Sequence, residues 1–283
     1  MGKKIYLFYF VYAIIIYDKG LVSMASTKKS KTVMIASTKG GVGKTIFTLN
    51  LAGIISTLEK KVLIIDLDLT SGGIALALNK TYNKSVYEMS EDLKNNVFGD
   101  FDNYVLKYNK YISAIACPKD PRDASKIDLR YLDMIIDQAG FLYDVVLIDS
   151  NHDLGPTTLY LMDKVDDIIF MINNDPLNLK STRSVLSILN NLEINNYKVL
   201  LNNSNNPFKD YYSMYDIKKT IQANIDYTLS TEFFIENIDK ILIAGNIPTL
   251  LNNVARLYQK DYSTLLTIAA DVTQRRGEKH EEK

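Results

Sequence analysis

Nine consecutive residues, Ser37-Thr38-Lys39-Gly40-Gly41-Val42-Gly43-Lys44-Thr45, combine side chains and spacings suited to holding a polyphosphate. Glycines at 40, 41 and 43 allow the backbone to turn its N–H groups inward around an anion, at the positive end of a following helix. From that position Lys44 reaches the β- and γ-phosphates of a nucleoside triphosphate, and the Thr45 hydroxyl is placed to hold Mg2+. Carboxylates supply the remaining chemistry. Asp66 and Asp68 follow the apolar run Val62-Leu63-Ile64-Ile65, and Asp149 follows Val145-Val146-Leu147-Ile148. Asp149 fits a Walker B carboxylate that holds Mg2+ through water, Asp66 a second member of the Mg2+ shell, and Asp68 the group that orients an attacking water.

These residues need a scaffold that brings several strand ends together. Thr32–Ala36, Val62–Ile65, Val145–Ile148 and Asp167–Ile172 are short and almost wholly apolar, as strands of a parallel sheet covered on both faces must be. Helical patterns separate them, at Ile46–Leu58, Asp128–Gln138 and Leu179–Leu192, and Ser85 with Glu88 forms a capping box ahead of another. The alternation predicts an α/β fold with a doubly wound, mostly parallel sheet flanked by helices. In that architecture the carboxyl ends of the central strands line the ligand crevice. The pattern continues with a strand at Tyr197–Leu201 and a helix at Tyr215–Ala223. A strand at Ile225–Tyr227 and helices at Phe234–Ala244 and Leu250–Ala270 complete it.

The segment Lys39-Gly40-Gly41-Val42-Gly43-Lys44-Thr45 resembles the deviant Walker A loop of the ParA/MinD family of P-loop ATPases. The resemblance implies that ATP and Mg2+ are the cofactors and that ATP closes a homodimer in which Lys39 crosses to the partner's nucleotide. It places Lys39 to Ile46 around the phosphates, makes Lys39, Lys44 and Asp68 catalytic, and assigns Thr45, Asp66 and Asp149 to the metal. The family's strand-end asparagine, which reads the adenine edge through an amide donor and acceptor, corresponds to Asn202. One departure is Ile46, where the family has a second Thr; a side-chain contact to the α-phosphate is lost and weaker binding is expected. Asp66-Leu67-Asp68-Leu69 with the small-residue turn after it, and His152-Asp153 after Ser150, are similar to the CpaE/TadZ branch, which positions pilus machinery. His152 is a candidate sensor of the γ-phosphate. Gly245-Asn246-Ile247-Pro248 looks like the family's terminal Gly-X-X-Pro step.

Composition limits the alternatives. The 283 residues carry 33 basic and 33 acidic side chains, so no global field draws the chain to DNA or to an anionic membrane. Nucleic-acid binding would need a local patch, and Lys180, Arg183, Lys218, Lys219, Arg256 and Lys260 are the candidates. The single cysteine, Cys117, excludes a disulfide framework, and the iron–sulfur relatives of this ATPase class need more thiolates. The apolar run Ile5–Tyr17 is shorter than the ~20 residues that span a bilayer, so stable membrane insertion is not expected. Residues 1–30 are read as an extension, disordered or reflecting a start assigned too far upstream of Met24; 31–270 as the ATPase domain; 271–283 as a charged tail.

Two functions follow from the resemblance. One is a DNA-partition ATPase that binds nonspecific DNA and is stimulated by a ParB-like protein, cytoplasmic and nucleoid-associated. The other is a polar landmark that binds pilus or secretion proteins.

Overall fold

A computed structural model describes residues 30–204 and 211–274 of the chain. The Ile5–Tyr17 run, residues 205–210 and most of the charged tail lie outside the described residues. The strands are β1 (Lys31–Ala36), β2 (Val62–Leu67), β3 (Leu106–Lys107), β4 (Ile112–Ile115), β5 (Val145–Ser150), β6 (Asp167–Ile172), β7 (Tyr197–Asn202) and β8 (Tyr227–Leu229). They form one sheet in the order β3-β4-β2-β5-β1-β6-β7-β8. Every pairing is parallel except that of β3 with β4.

The larger helices are α1 (Lys44–Thr57), α2 (Ile74–Ala77), α3 (Val86–Lys94), α4 (Leu129–Leu142), α5 (Pro156–Lys164), α6 (Pro176–Asn191), α7 (Met214–Ile221), α8 (Ile238–Ile243), α9 (Val254–Leu257) and α10 (Gln259–Thr273). Period-two alternation divides the sheet between two cores. Met34, Ile65, Ile148 and Phe170 face α3 to α7, whereas Val33, Ile64, Leu147 and Met171 face α1, α2 and α8 to α10. Each of these side chains is fully buried, a gain of roughly 1.5–3 kcal/mol apiece. The chain leaves β1 toward β2 across one face and returns from β4 through β5 and β6 across the other. The direction of winding therefore reverses at β1, and a crevice opens at the carboxyl ends of β1, β2 and β5.

The sequence expectations hold for the central strands and fail in four places. The stretch before Lys110 contains a 3-10 turn (Phe101–Tyr104) and the antiparallel edge strand β3, too short to leave a periodic signature. The helix expected over Phe234–Ala244 is formed only in its second half. Phe233 is drawn into the core by a 3-10 turn and packs edge-to-face on Tyr258 at 5.4 Å, Asn237 adopts a left-handed backbone (φ 56°), and only α8 remains helical. The final helix is broken at Tyr258 (φ −121°, ψ 47°), so that buried Asp261 accepts the Ser230 backbone N–H at 2.6 Å and its hydroxyl at 2.7 Å. The last strand sits two residues later than expected, with Leu229 beside Asn202.

Candidate active site

The loop after β1 delivers Ser37 to Gly43 into the crevice. Gly41 (φ 76°) and Gly43 (φ 96°) occupy the left-handed region that side-chain-bearing residues resist. No side chain caps α1 at Gly43 and its first turn holds no acid, which leaves its N-terminal N–H groups for an anion. Thr38 stands where the ordinary loop has glycine, and its hydroxyl explains the choice. It accepts from the Asn178 amide at 3.2 Å and lies 3.4 Å from the Thr182 hydroxyl, so α6 braces the loop from the side. Lys44 is 8% exposed and donates to Ser37 Oγ at 3.1 Å. Burial lowers its pKa, and Asp149 and Asp68 pull it back up.

Asp66 and Asp149 are register partners across β2 and β5, both with no exposed surface. Two carboxylates this deep beside one another resist ionisation together. Burial pushes Asp149 up to about 6, opposed by hydrogen bonds from Thr45 and Thr48 and by the Lys44 charge; Asp66 is raised well above the usual range by burial and by Asp149. Thr45 Oγ1 donates to Asp149 Oδ2 at 2.7 Å. A Thr hydroxyl and a carboxylate in contact, with a second carboxylate beside them, are the hard oxygen donors that suit Mg2+, so the residues fit that ion. Thr45 and Asp149 would hold it, and it would neutralise phosphate charge there. Asp66 accepts from the Ile74 and Asp68 N–H groups at 3.1 and 3.3 Å. Those two bonds fix the carboxylate in place beside Asp149, and each oxygen keeps a lone pair that a cation could use. Asp68 is partly exposed at the crevice mouth, where its carboxylate accepts from Ser71 N at 3.2 Å.

Several supporting residues escaped the sequence reading. Gly72 closes over Asp66, and a Cβ there would meet both carboxylate oxygens and Cys117 Sγ at 2.6 Å. Cys117 backs that carboxylate, and burial with the nearby Asp66 charge lifts its thiol to about 12. Lys39, 41% exposed, pairs with Asp175 at 3.1 Å. Asp175 is the N-cap of α6, accepting from Leu177 N and Asn178 N. The cap was foreshadowed by Asp-Pro, a helix-start signal, but its reach to Lys39 was not. His152 is exposed, with its ring 3.9 Å from where a Gly40 Cβ would stand, so the segment after β5 and the glycine loop face each other. Asn151 Nδ2 donates to Thr70 Oγ1 at 3.4 Å across the crevice mouth.

Asn202 is 4% exposed and ties β7 to the phosphate loop by donating to the Val42 carbonyl at 2.8 Å. It also lines a cavity of about 120 Å3 flanking the start of α1, with Ile46, Phe47, Ser204, Phe233 and Phe234 among its walls. The Gly-X-X-Pro step supports the same helix: Gly245 is left-handed (φ 75°), and Thr249 next to Pro248 bonds Asn50 of α1 through N (3.1 Å) and Oγ1 (2.9 Å).

The six cation candidates do not form one patch. Lys180 and Arg183 on α6 and Lys218 and Lys219 on α7 share a packed helix pair, all exposed, with Tyr211, Tyr212 and Tyr215 exposed beside them. Arg256 and Lys260 lie on α9 and α10, over the opposite face of the sheet. Among the described residues no helix is long and apolar enough to cross a membrane.

Comparison with known proteins accords with this geometry. A family model described as the CobQ/CobB/MinD/ParA nucleotide binding domain matches residues 33–274. The chromosome-partitioning ATPase Soj of Thermus thermophilus is 26% identical over 168 residues, 57% of this chain and 62% of the Soj chain, so less than two thirds of that relative is spanned. A ParA family ATPase from Chlorobium tepidum superposes with a TM-score of 0.71 at 17% identity, over 86% of this chain and 99% of the other. The septum site-determining protein MinD of Pyrococcus horikoshii, complexed with Mg-ADP, gives 0.67 at 19% identity over 86% and 96%. At these identities the structural likeness concerns the fold.

Proposed function

The chain belongs to the CobQ/CobB/MinD/ParA family of nucleotide-binding domains, and on that footing we propose that it is a Mg2+-dependent ATPase that pairs with a second copy on ATP and times DNA partition by slow hydrolysis. Its place in this reading is the cytoplasm, on the nucleoid, with a ParB-like protein stimulating turnover. The observation that carries the reading is the division of labour between two lysines on one loop. Lys44 is buried against Ser37 within reach of the phosphate cradle, whereas Lys39 stands at the outer rim. A cation at the rim is placed to serve a nucleotide bound by a facing copy. Asp68, at the mouth, is placed to orient water, and electrostatic stabilisation by the lysines and the metal carries most of the rate. The α6–α7 face, with its four cations and exposed tyrosines, is the DNA-binding candidate.

Retention on nonspecific DNA with ATP against ADP, across a salt series, tests the reading. ATP-dependent and salt-sensitive retention is expected, with loss when Lys180, Arg183, Lys218 and Lys219 are neutralised together. A second reading, a polar landmark for pilus or secretion proteins, is favoured by one contact. The segments similar to the CpaE/TadZ branch meet where Asn151 reaches Thr70, forming a joint surface for a protein partner. Absence of DNA retention even at low salt, with ATP-dependent pairing intact, would select it.

A further inference from the structure

Leu177, Tyr211, Tyr212, Met214 and Tyr215 stand exposed together where α6 and α7 begin. Tyr211 and Tyr215 are 59% and 72% exposed. A gathering of large apolar side chains at the surface marks a place where something docks. The segment that carries the tyrosines is held in place. Buried Asn174 clamps the Tyr212 backbone from both sides, its Nδ2 donating to the carbonyl at 2.9 Å and its Oδ1 accepting from the N–H at 3.1 Å. Ser213 then caps α7, accepting from Asp216 N at 3.2 Å. Ile217 and Ile221 turn the inner face of α7 to the core, which leaves Tyr215, Lys218 and Lys219 on one outer stripe. Among the described residues none of these three tyrosine side chains makes a ring contact or a hydrogen bond. Tyr104 and Tyr227, by contrast, lie under Lys84 and Lys198 and donate to Asp92 and Asp271.

The same two helices carry Lys180, Arg183, Lys218 and Lys219, all exposed. α6 contains no acid, and α7 contains Asp216, which accepts from the Ser213 hydroxyl at 2.6 Å. In a chain with 33 basic and 33 acidic side chains this excess is local, and it complements a polyanion. What the rings would gain separates one polyanion from another. A duplex keeps its base faces stacked inside, so rings beside it reach only sugar and phosphate. An unpaired strand exposes a π-face on every base, and stacking there is tolerant of sequence. A second copy seated on this face by a two-fold axis would set four cations against four.

We propose that the α6–α7 face binds single-stranded nucleic acid, with Tyr211, Tyr212 and Tyr215 stacked on unpaired bases and the four cations on the phosphates between them. This rests on the reading of that face as the nucleic-acid surface and names the form of polymer it takes. The experiment titrates the full chain, with Mg2+ and ATP, against fluorescent oligo(dT), oligo(U) and a mixed-sequence duplex of equal length. At least one strand should bind ~10-fold or more tightly than the duplex; oligo(dT) ahead of oligo(U) assigns a DNA strand, and the reverse order an RNA strand. Replacing the three tyrosines with Phe keeps the rings and should hold strand affinity within about threefold. Replacing them with Ala should weaken the strand by at least ~10-fold and the duplex by less than about threefold, with Tyr215→Ala alone costing the strand ~5-fold. A duplex bound as tightly as both strands, or equal losses of strand and duplex in the Ala variants, would overturn the assignment. Loss of ATP-dependent pairing in those variants, read by sedimentation, would give the rings to a contact between copies and overturn it as well. In each of these cases duplex binding that responds to ATP leaves the partition reading standing. Strand binding indifferent to the exchange of ATP for ADP would sustain the assignment and sink the ATP-timed reading instead.

Discussion

Replacing Asp175 with Asn isolates the hold that this chain has on its own rim lysine. The carboxylate pairs with Lys39 at 3.1 Å and caps α6 through Leu177 N at 3.1 Å and Asn178 N at 3.0 Å. Asn is an equally good N-cap, so Asp175→Asn keeps the helix start, whereas Ala would cost about 1 kcal/mol there. With Lys39 41% exposed, solvent screening limits the pair to about 0–1 kcal/mol. If Lys39 must leave Asp175 to serve the facing copy, each subunit is relieved of that amount, and a dimer of about twice it. The ATP-dependent dimer should then tighten by up to ~30-fold, since each 1.4 kcal/mol is tenfold. Sedimentation with ATP and with ADP over a concentration series measures this. The effect should shrink as salt rises, because a half-exposed pair is screened. Unchanged or weaker ATP-dependent pairing, with the melting temperature preserved, would refute the idea that Asp175 restrains Lys39 from the interface.

Three other outcomes are expected. Lys39→Ala should abolish ATP-induced pairing and turnover while sparing the fold, since that side chain is 41% exposed and its pair with Asp175 is worth at most about 1 kcal/mol; sedimentation and phosphate release decide it. Asp149, at about 6 in the fold against 3.8 for an ordinary carboxyl, is a raised group. Its contribution to stability is complete below the unfolded value and is lost as pH climbs through 6. A divalent cation favours the anion instead, so the rise in melting temperature produced by Mg2+ with ADP should be small at pH 5.5 and larger at pH 7.5, and Asp149→Asn should flatten that dependence. Gly72→Ala forces a methyl to 2.6 Å from Asp66 and Cys117; overpacking of this kind costs roughly 1–3 kcal/mol, and hydrolysis should fall together with thermal stability, whereas Gly73→Ala, with open space around it, should be tolerated.

The division between what was legible and what was not follows contact range. The phosphate loop declares itself because its function is local: the N–H groups that cradle an anion, the lysine that meets it and the hydroxyl beside it are adjacent in the chain. The strand-end carboxylates are legible for a similar reason, since buried parallel strands read as unbroken apolar runs and a charge that ends one is conspicuous. The edge strand and the broken C-terminal helices were lost where the pattern is short or overridden. Phe233 pulled toward the core and Asp261 pulled to Ser230 outweigh the helical propensity of the stretches between them.

What the amino-acid order determined alone was the chemistry available: a glycine loop suited to a phosphate, two lysines on that loop and three carboxylates at or just past strand ends. Tertiary structure decided how each group may be used. It set Asp66 against Asp149 by pairing β2 with β5, held Lys39 with a helix cap far along the chain, and tied Asn202 at the end of β7 to the Val42 carbonyl of the glycine loop. Those outcomes depend on which strands become neighbours, and winding reversal at β1 fixes that through the packing of two separate cores, a property of the whole chain that no short segment contains.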